Sequence, residues 1–340
     1  MNSNYTYPFI TLLVVLLLCF LLNISLGSVS IPIPDVFAGL FGSLENESWQ
    51  YIIQNYRLPK AFTAILVGSG LGISGLLMQT LFRNPLAGPF VLGISSGASL
   101  GVALVILGSG LFGGILASVL ISKWSIVIAA SLGSFLVLLA VLLVSSKVRD
   151  TMAILIIGLM FGSITAAVVS VLSYFSSAEQ LQQYIFWGFG SLGNLSWSEL
   201  LIFFCIYLLG LLLAIVSIKA LNSFLLGENY ARSLGLHIKR SRMIIIFSTS
   251  LLAGTITAFA GPIAFIGLAI PHLTRQLFHT SNHKILLPAV FLFGAIVMLI
   301  CDSIAQLPMS DYTLPINAIT SLIGAPVVIW LLVRQRKMIF

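Results

Sequence analysis

Charged side chains are scarce in this 340-residue sequence: Lys and Arg number 16, Asp and Glu 9, together 7%. A soluble domain is about one-quarter charged, and a chain that is 59% hydrophobic has too few polar groups to clothe a globular surface. That excludes a soluble enzyme and a nucleic-acid binder. No stretch is long, polar and charged enough for a separate domain or a disordered tail, so a single-pass anchor with an external module is excluded too. The three cysteines, Cys19, Cys205 and Cys301, lie far apart in apolar runs, and neither a disulfide framework nor a thiolate metal centre is expected. No lysine follows a glycine, so the chain has no Walker A loop and cannot hydrolyse ATP alone. His279 and His283 lack the Glu of an HExxH pattern, and no Ser-His-Asp arrangement is legible. The chain is therefore expected to be no enzyme, to bind no cofactor and to hold no metal.

What the sequence has is apolar length. A spanning helix takes roughly 20 apolar residues, and the apolar positions here suffice for about ten spans. They fall at 8–28, 58–81, 91–116, 124–145, 151–175, 196–219, 243–262, 284–305 and 313–333, with a shorter candidate at 263–278. The fold expected is all-α: one polytopic membrane domain over 1–340, with broken helices. No Lys or Arg precedes Arg57, so the first segment is read as a retained span and not a secretory leader. Placing both termini in the cytoplasm leaves Arg57, Lys60 and Lys123 outside and the other 13 cations inside, as the positive-inside rule requires.

Small residues recur every four positions at Ala64, Gly68 and Gly72, at Gly93, Gly97 and Gly101, and at Gly158 and Gly162, which lets helix backbones approach. Two breaks interrupt apolar runs, one at 84–89 and one at 260–262 continued by Pro271. Irregular backbone at membrane depth is tolerated only where it is buried in protein or lines a cavity, so both breaks point to a pathway. The fragments at 87–93 and 260–267 also look alike, a weak sign of an inverted repeat. Only Asp302 lies well inside an apolar run, which leaves little for an ion-coupled carrier to use. The loop at about 220–242 is too apolar for an idle connector. Residues 226–235 within it read as a short amphipathic helix, with Glu228 at its positive end, a Glu228–Arg232 pair one turn apart and Gly235 as a left-handed cap.

Taken in order, Arg57-Leu58-Pro59-Lys60, Ser74-Gly75 with Gln79, Arg83-Asn84-Pro85-Leu86-Ala87-Gly88-Pro89, and Leu92-Gly93 with Gly97-Ala98 resemble the FecCD-type permeases of ABC importers. So do Gly227-Glu228 with Ala231-Arg232 and Leu234-Gly235, Gly261-Pro262-Ile263 with Phe265-Ile266-Gly267-Leu268, Pro271-His272, Leu314-Pro315 and Gly324-Ala325-Pro326. The resemblance implies a multi-pass permease of the inner (plasma) membrane that carries iron-siderophore, haem or cobalamin. It implies a second permease copy, two cytoplasmic ATPases that bind ATP and Mg, a periplasmic or lipid-anchored substrate-binding protein and surrounding lipid as partners. Leu226, Gly227, Glu228, Tyr230, Ala231, Arg232, Leu234 and Gly235 correspond to an ATPase-coupling helix. Asn84, Pro85, Leu86, Thr151 and Met152 correspond to a cytoplasmic gate, and Arg57 and Lys60 to a basic pair that docks the binding protein. The sequence departs from the pattern at Gln306, where cobalamin members carry a cation, and at Thr313 and Asn317, where Glu and Gly are commoner. The alternative is a self-sufficient secondary transporter or channel, against which the partner-like loop and the missing coupling carboxylates both count.

Overall fold

A computed structural model describes residues 3–42, 44, 46–111, 122–145, 151–307, 310 and 312–334. Among them the backbone forms fifteen α-helices and no strand: α1 (Ser3–Ser25), α2 (Ile33–Leu40), α3 (Glu47–Ile52), α4 (Leu58–Leu81), α5 (Ile94–Ile106), α6 (Lys123–Ser145), α7 (Thr151–Phe175), α8 (Ala178–Gly188), α9 (Trp197–Val216), α10 (Ile218–Phe224), α11 (Glu228–Ser233), α12 (Ile238–Ala260), α13 (Ile266–Phe278), α14 (His283–Ala305) and α15 (Ile316–Arg334). Seven helical stretches among the described residues are long and apolar enough to cross a membrane, and α5 and the stretch Ile316–Trp330 are shorter apolar helices. The apolar run expected at 91–116 is divided: a tight turn over Pro89–Leu92 and the left-handed Gly93 precede α5. A second tight turn, Gly108–Leu111, follows α5.

The second span starts earlier than its apolar run. Glu47–Leu81 is continuous, with a wide turn over Ile53–Arg57 in which Leu58 N–H bonds back to Ile53 O. Pro59 stands just beyond this turn, where it has no N–H to continue the α-helical ladder.

Two compact units divide the chain. The first comprises Met1–Leu76, Ser191–Cys205 and Ile263–Phe340, the second Leu77–Gly190 and Ile206–Pro262. In the first, α1 packs on α14, which also meets α13 and α15. Leu12, Phe278, Ala289 and Ile296 form its apolar centre, with Phe9 tilted against Phe278 at 5.0 Å. Backbones meet without intervening side chains: a Cβ on Gly68 would lie 2.2 Å from Gly294 O. One on Gly75 would lie 1.7 Å from Gly267 O. Pro271 does not break the chain as expected; it sits inside α13. It has no N–H for the carbonyl four residues back, and that carbonyl, Gly267 O, is the one facing Gly75. The break is confined to 261–265, where Ala264 N–H is bonded by Asn317 Oδ1 at 3.0 Å and Phe265 holds φ +65° immediately before α13.

In the second unit α5, α6, α7 and α12 pack around Ala98, Val102, Ala103, Ile106, Ala130 and Ala258. The small-residue spacing again sets the approach: a Cβ on Gly97 would lie 2.4 Å from Gly133 O, and one on Gly101 2.0 Å from Ala129 O. Large apolar side chains face outward in both units among the described residues. Ile10, Leu17 and Leu18 of α1, Leu132 and Leu136 of α6 and Leu159 and Ile164 of α7 are exposed, a surface that water would penalise and lipid accommodates.

Candidate coupling site and polar cluster

The chain leaves α10 at Leu225 and reaches Gly227, whose φ of +103° turns it into α11. Glu228 is the first residue of that helix, as its preference for the positive end predicts. The helix ends as expected on Gly235, at φ +81°. Gly235 N–H bonds to Arg232 O at 3.0 Å and Leu236 N–H to Ala231 O at 3.2 Å, the paired closure of a Schellman motif.

The expected Glu228–Arg232 pair does not form. Glu228 Oε1 lies 2.5 Å from Arg242 Nη2 on α12, and Arg232 stays exposed. A contact from the next helix displaces a neighbour one turn away because it fixes the loop to a long element. Ala231 is buried on the inner side of α11, whereas Leu226, Tyr230 and Leu234 are 63%, 51% and 57% exposed. Three large apolar side chains are thus more than half open around a helix of six residues.

Beside this helix is a cleft of about 390 Å³ lined by Leu81, Phe82, Arg83, Phe224, Leu226, Gly227, Glu228, Asn229 and Tyr230. The sequence assigns no role to Leu81 or Phe82, and none to Arg242 beyond a basic residue leading into the next span. Arg83 was visible there only as a neighbour of Asn84. Its guanidinium reaches within 3.8 Å of where a Cβ on Gly227 would stand.

The break begins at the next residue. Arg83 takes φ +47°, Asn84 N–H bonds to Gln79 O at 3.1 Å, and Asn84 Oδ1 accepts from Leu86 N–H at 2.9 Å. Pro85 and Pro89 bring no donors, and the turn is closed at Asn84 twice over, by Ala87 N–H on its backbone oxygen at 3.1 Å and by Leu86 N–H on its side chain. Leu86 is exposed at its tip. Gly93 ends the segment at φ +75°, and a Cβ there would also lie 2.8 Å from Val137. Thr151 and Met152 open α7; their side chains lie outside the described residues.

Arg57 and Lys60 are both engaged inside the first unit. Arg57 Nη1 donates to Ile24 O at 2.6 Å and Ser25 O at 2.9 Å, and Nη2 donates to Val29 O. A cation therefore caps the negative end of α1. Lys60 Nζ lies 3.1 Å from Asp302 Oδ1, on a buried carboxylate whose Oδ2 also accepts from Asn23 Nδ2 at 2.9 Å and Gln306 Nε2 at 2.8 Å. Gln306, one of the departures from the family pattern, thus completes the shell of Asp302. Asn317, another, supplies the bond at the 261–265 break.

A model of the FecCD transport family matches residues 15–334. The hemin transport system permease protein HmuU of Yersinia pestis is 34% identical over 327 residues, covering 96% of this chain and 95% of that protein. The vitamin B12 import system permease protein BtuC of Klebsiella pneumoniae is 39% identical over 289 residues, covering 84% of each. A solved inward-facing structure described as a metal-chelate type ABC transporter superposes with a TM-score of 0.85 at 32% identity, over 97% of this chain and all of that one.

Proposed function

The chain belongs to the FecCD transport family, and from that premise we propose how its parts divide the work of an ATP-driven importer. It is the membrane permease subunit of a binding-protein-dependent ABC importer for a metal chelate, and ATPase and substrate-binding partners come with that role. The chelate is of the haem, cobalamin or iron-siderophore kind and arrives with its metal already wrapped, so no side chain here needs to ligate it. Two copies of the chain enclose one pathway as a single permease domain each. Two ATPases carrying ATP and Mg sit on the cytoplasmic side, where both termini lie; the skew of basic residues toward that side supports the orientation. A periplasmic or lipid-anchored binding protein delivers the chelate from the other side.

The observation that carries the coupling role is the division of α11 into a buried Ala231 and the exposed trio Leu226, Tyr230 and Leu234. Exposed apolar side chains grouped on one short helix mark a surface that a partner covers. An ATPase that seats this face moves α11 when it closes on ATP. Through the Glu228–Arg242 pair the displacement passes to α12, and across the cleft it passes to Arg83 and the Asn84, Pro85 and Leu86 turn. That turn and the start of α7 at Thr151 and Met152 act as the gate. Arg57 and Lys60 lie at the face that meets the binding protein, where they share their charge between the fold and its carboxylates.

The test is uptake of chelate into proteoliposomes holding the permease with and without its ATPases. Uptake should require both ATPase and ATP. Uptake driven by an ion gradient without any ATPase would overturn the reading in favour of a secondary transporter.

A further inference from the structure

Glu47–Leu81 runs for 35 residues. At about 1.5 Å per residue that is roughly 50 Å, well beyond the ~30 Å hydrocarbon layer, so one end of this stretch leaves the lipid core. Where it leaves is marked by aromatic side chains. Trp197 opens α9, a 20-residue span, and its indole N–H donates to Gln54 O at 2.9 Å. Tyr51 and Tyr56, both exposed, meet edge-on at 5.9 Å around the same turn. Exposed Trp and Tyr rings at one level mark a membrane–water interface.

The helix α2 is held at that level. Gln54 Nε2 donates to Gly39 O at 3.2 Å, and a Cβ on Gly39 would be 2.6 Å from Ile53 Cδ1. Val36 and Gly39 form its buried side. Its other side should be polar if water covered it, yet it carries Ile33 and Phe37, followed by Phe41, at successive intervals of four and all exposed. Val29 continues the stripe backward toward exposed Leu22 and Leu18 of α1. The turn between the helices is closed by Ser25 Oγ–H donating to Ile31 O at 2.6 Å and Ile31 N–H to Ser25 O at 3.1 Å.

We infer that α2 is an interfacial anchor that lays Ile33, Phe37 and Phe41 into the headgroup–acyl boundary of the bilayer, as a continuation of the lipid-facing side of α1. Its depth at the aromatic ring and its continuity with α1 select lipid over a protein partner. The attraction is apolar: Asp35 is the one charge on α2, and no Lys or Arg precedes Arg57.

A photoreactive p-benzoylphenylalanine placed at Phe37, or separately at Phe41, in the full chain in phospholipid nanodiscs tests this. Phe41 is 84% exposed, so its replacement removes no packing. A third position, Glu47, opens the long helical stretch seven residues before Gln54, about 10 Å along the helix from the residue that holds α2. On illumination, intact mass should show addition of one phospholipid at 37 and 41, several-fold more than at 47 and unchanged when anionic lipid is added. Equal lipid labelling at 47, no lipid labelling at 41, or cross-links at 37 and 41 to a second copy or to the binding protein would overturn the assignment.

Discussion

Lys60 Nζ and Asp302 Oδ1 lie 3.1 Å apart, and this pair joins α4 to α14 while Asn23 brings α1 to the same carboxylate. Three helices of one unit converge on one buried charge. Lys60→Met would leave Asp302 with neutral donors only. The cost should fall at the lower end of the roughly 3–5 kcal/mol typical of orphaning a buried charge, because Lys60 keeps some access to solvent. The double variant Lys60→Met/Asp302→Asn should recover most of it, since an amide needs no cation. Thermal unfolding in detergent reads both; a single variant that melts with the parent would show that the pair contributes nothing, and equal midpoints for the single and double variants would show that the orphaned carboxylate carries no penalty.

The same geometry governs any docking experiment. Reversing Lys60 to Glu sets two carboxylates together and damages the fold before docking can be measured. Lys60→Met/Asp302→Asn removes the charge without that repulsion. If Lys60 steers the binding protein, association should slow at low ionic strength and converge with the parent as salt rises, with an effect on the order of 1 kcal/mol or less. Identical association rates across the salt series would end the docking role for Lys60.

Leu234→Asp and Tyr230→Asp each place a charge on the exposed side of α11, at side chains that are 57% and 51% open, so most of the packing inside the chain is kept. ATP hydrolysis by the assembled transporter should continue while chelate uptake falls, because the contact that passes on the stroke is gone. Parallel assays of phosphate release and uptake in proteoliposomes decide it. Uptake at parental level in both variants would remove α11 from the coupling path.

Much of this site was legible from sequence because it is local. Gly235 as a cap, Glu228 at the helix start and the prolines at 84–89 each act within a few residues, and the structure has them so. What was not legible depends on distant chain. Glu228 had a suitable partner one turn away, and nothing in the spacing says that Arg242 wins. Arg57 reads from sequence as half of a docking pair, and its bonds to the carbonyls of Ile24, Ser25 and Val29 were not legible because backbone acceptors leave no residue-type signature. Pro271 looked like a break, but the bond it forfeits is a single one near the start of α13.

Gly75→Ala should be far more harmful than Gly108→Ala. The first puts a methyl 1.7 Å from Gly267 O, and the second meets nothing within 4 Å. Backbone must move to admit the first, at a cost of about 1–3 kcal/mol or more. Yield of monodisperse protein and its melting temperature should separate the two, and similar values would contradict the close crossing.

Cysteines introduced one at a time at Asn84, Leu86 and Thr151, with Cys19, Cys205 and Cys301 replaced, should cross-link two copies of the chain in one nucleotide state only. Disulfide formation scored on gels with and without ATP reports this. Equal yields in both states would make the turn a fixed element rather than a gate.

The crossing at Gly267 binds two distant parts of the chain to one requirement. Restoring an N–H at position 271 would offer Gly267 O a bond along its own helix, yet the atoms of that oxygen's residue would still stand where a Cβ at 75 must go. The demand for glycine at 75 therefore belongs to the distance between two backbones and not to the proline four residues on, and relieving it takes a parting of the helices themselves.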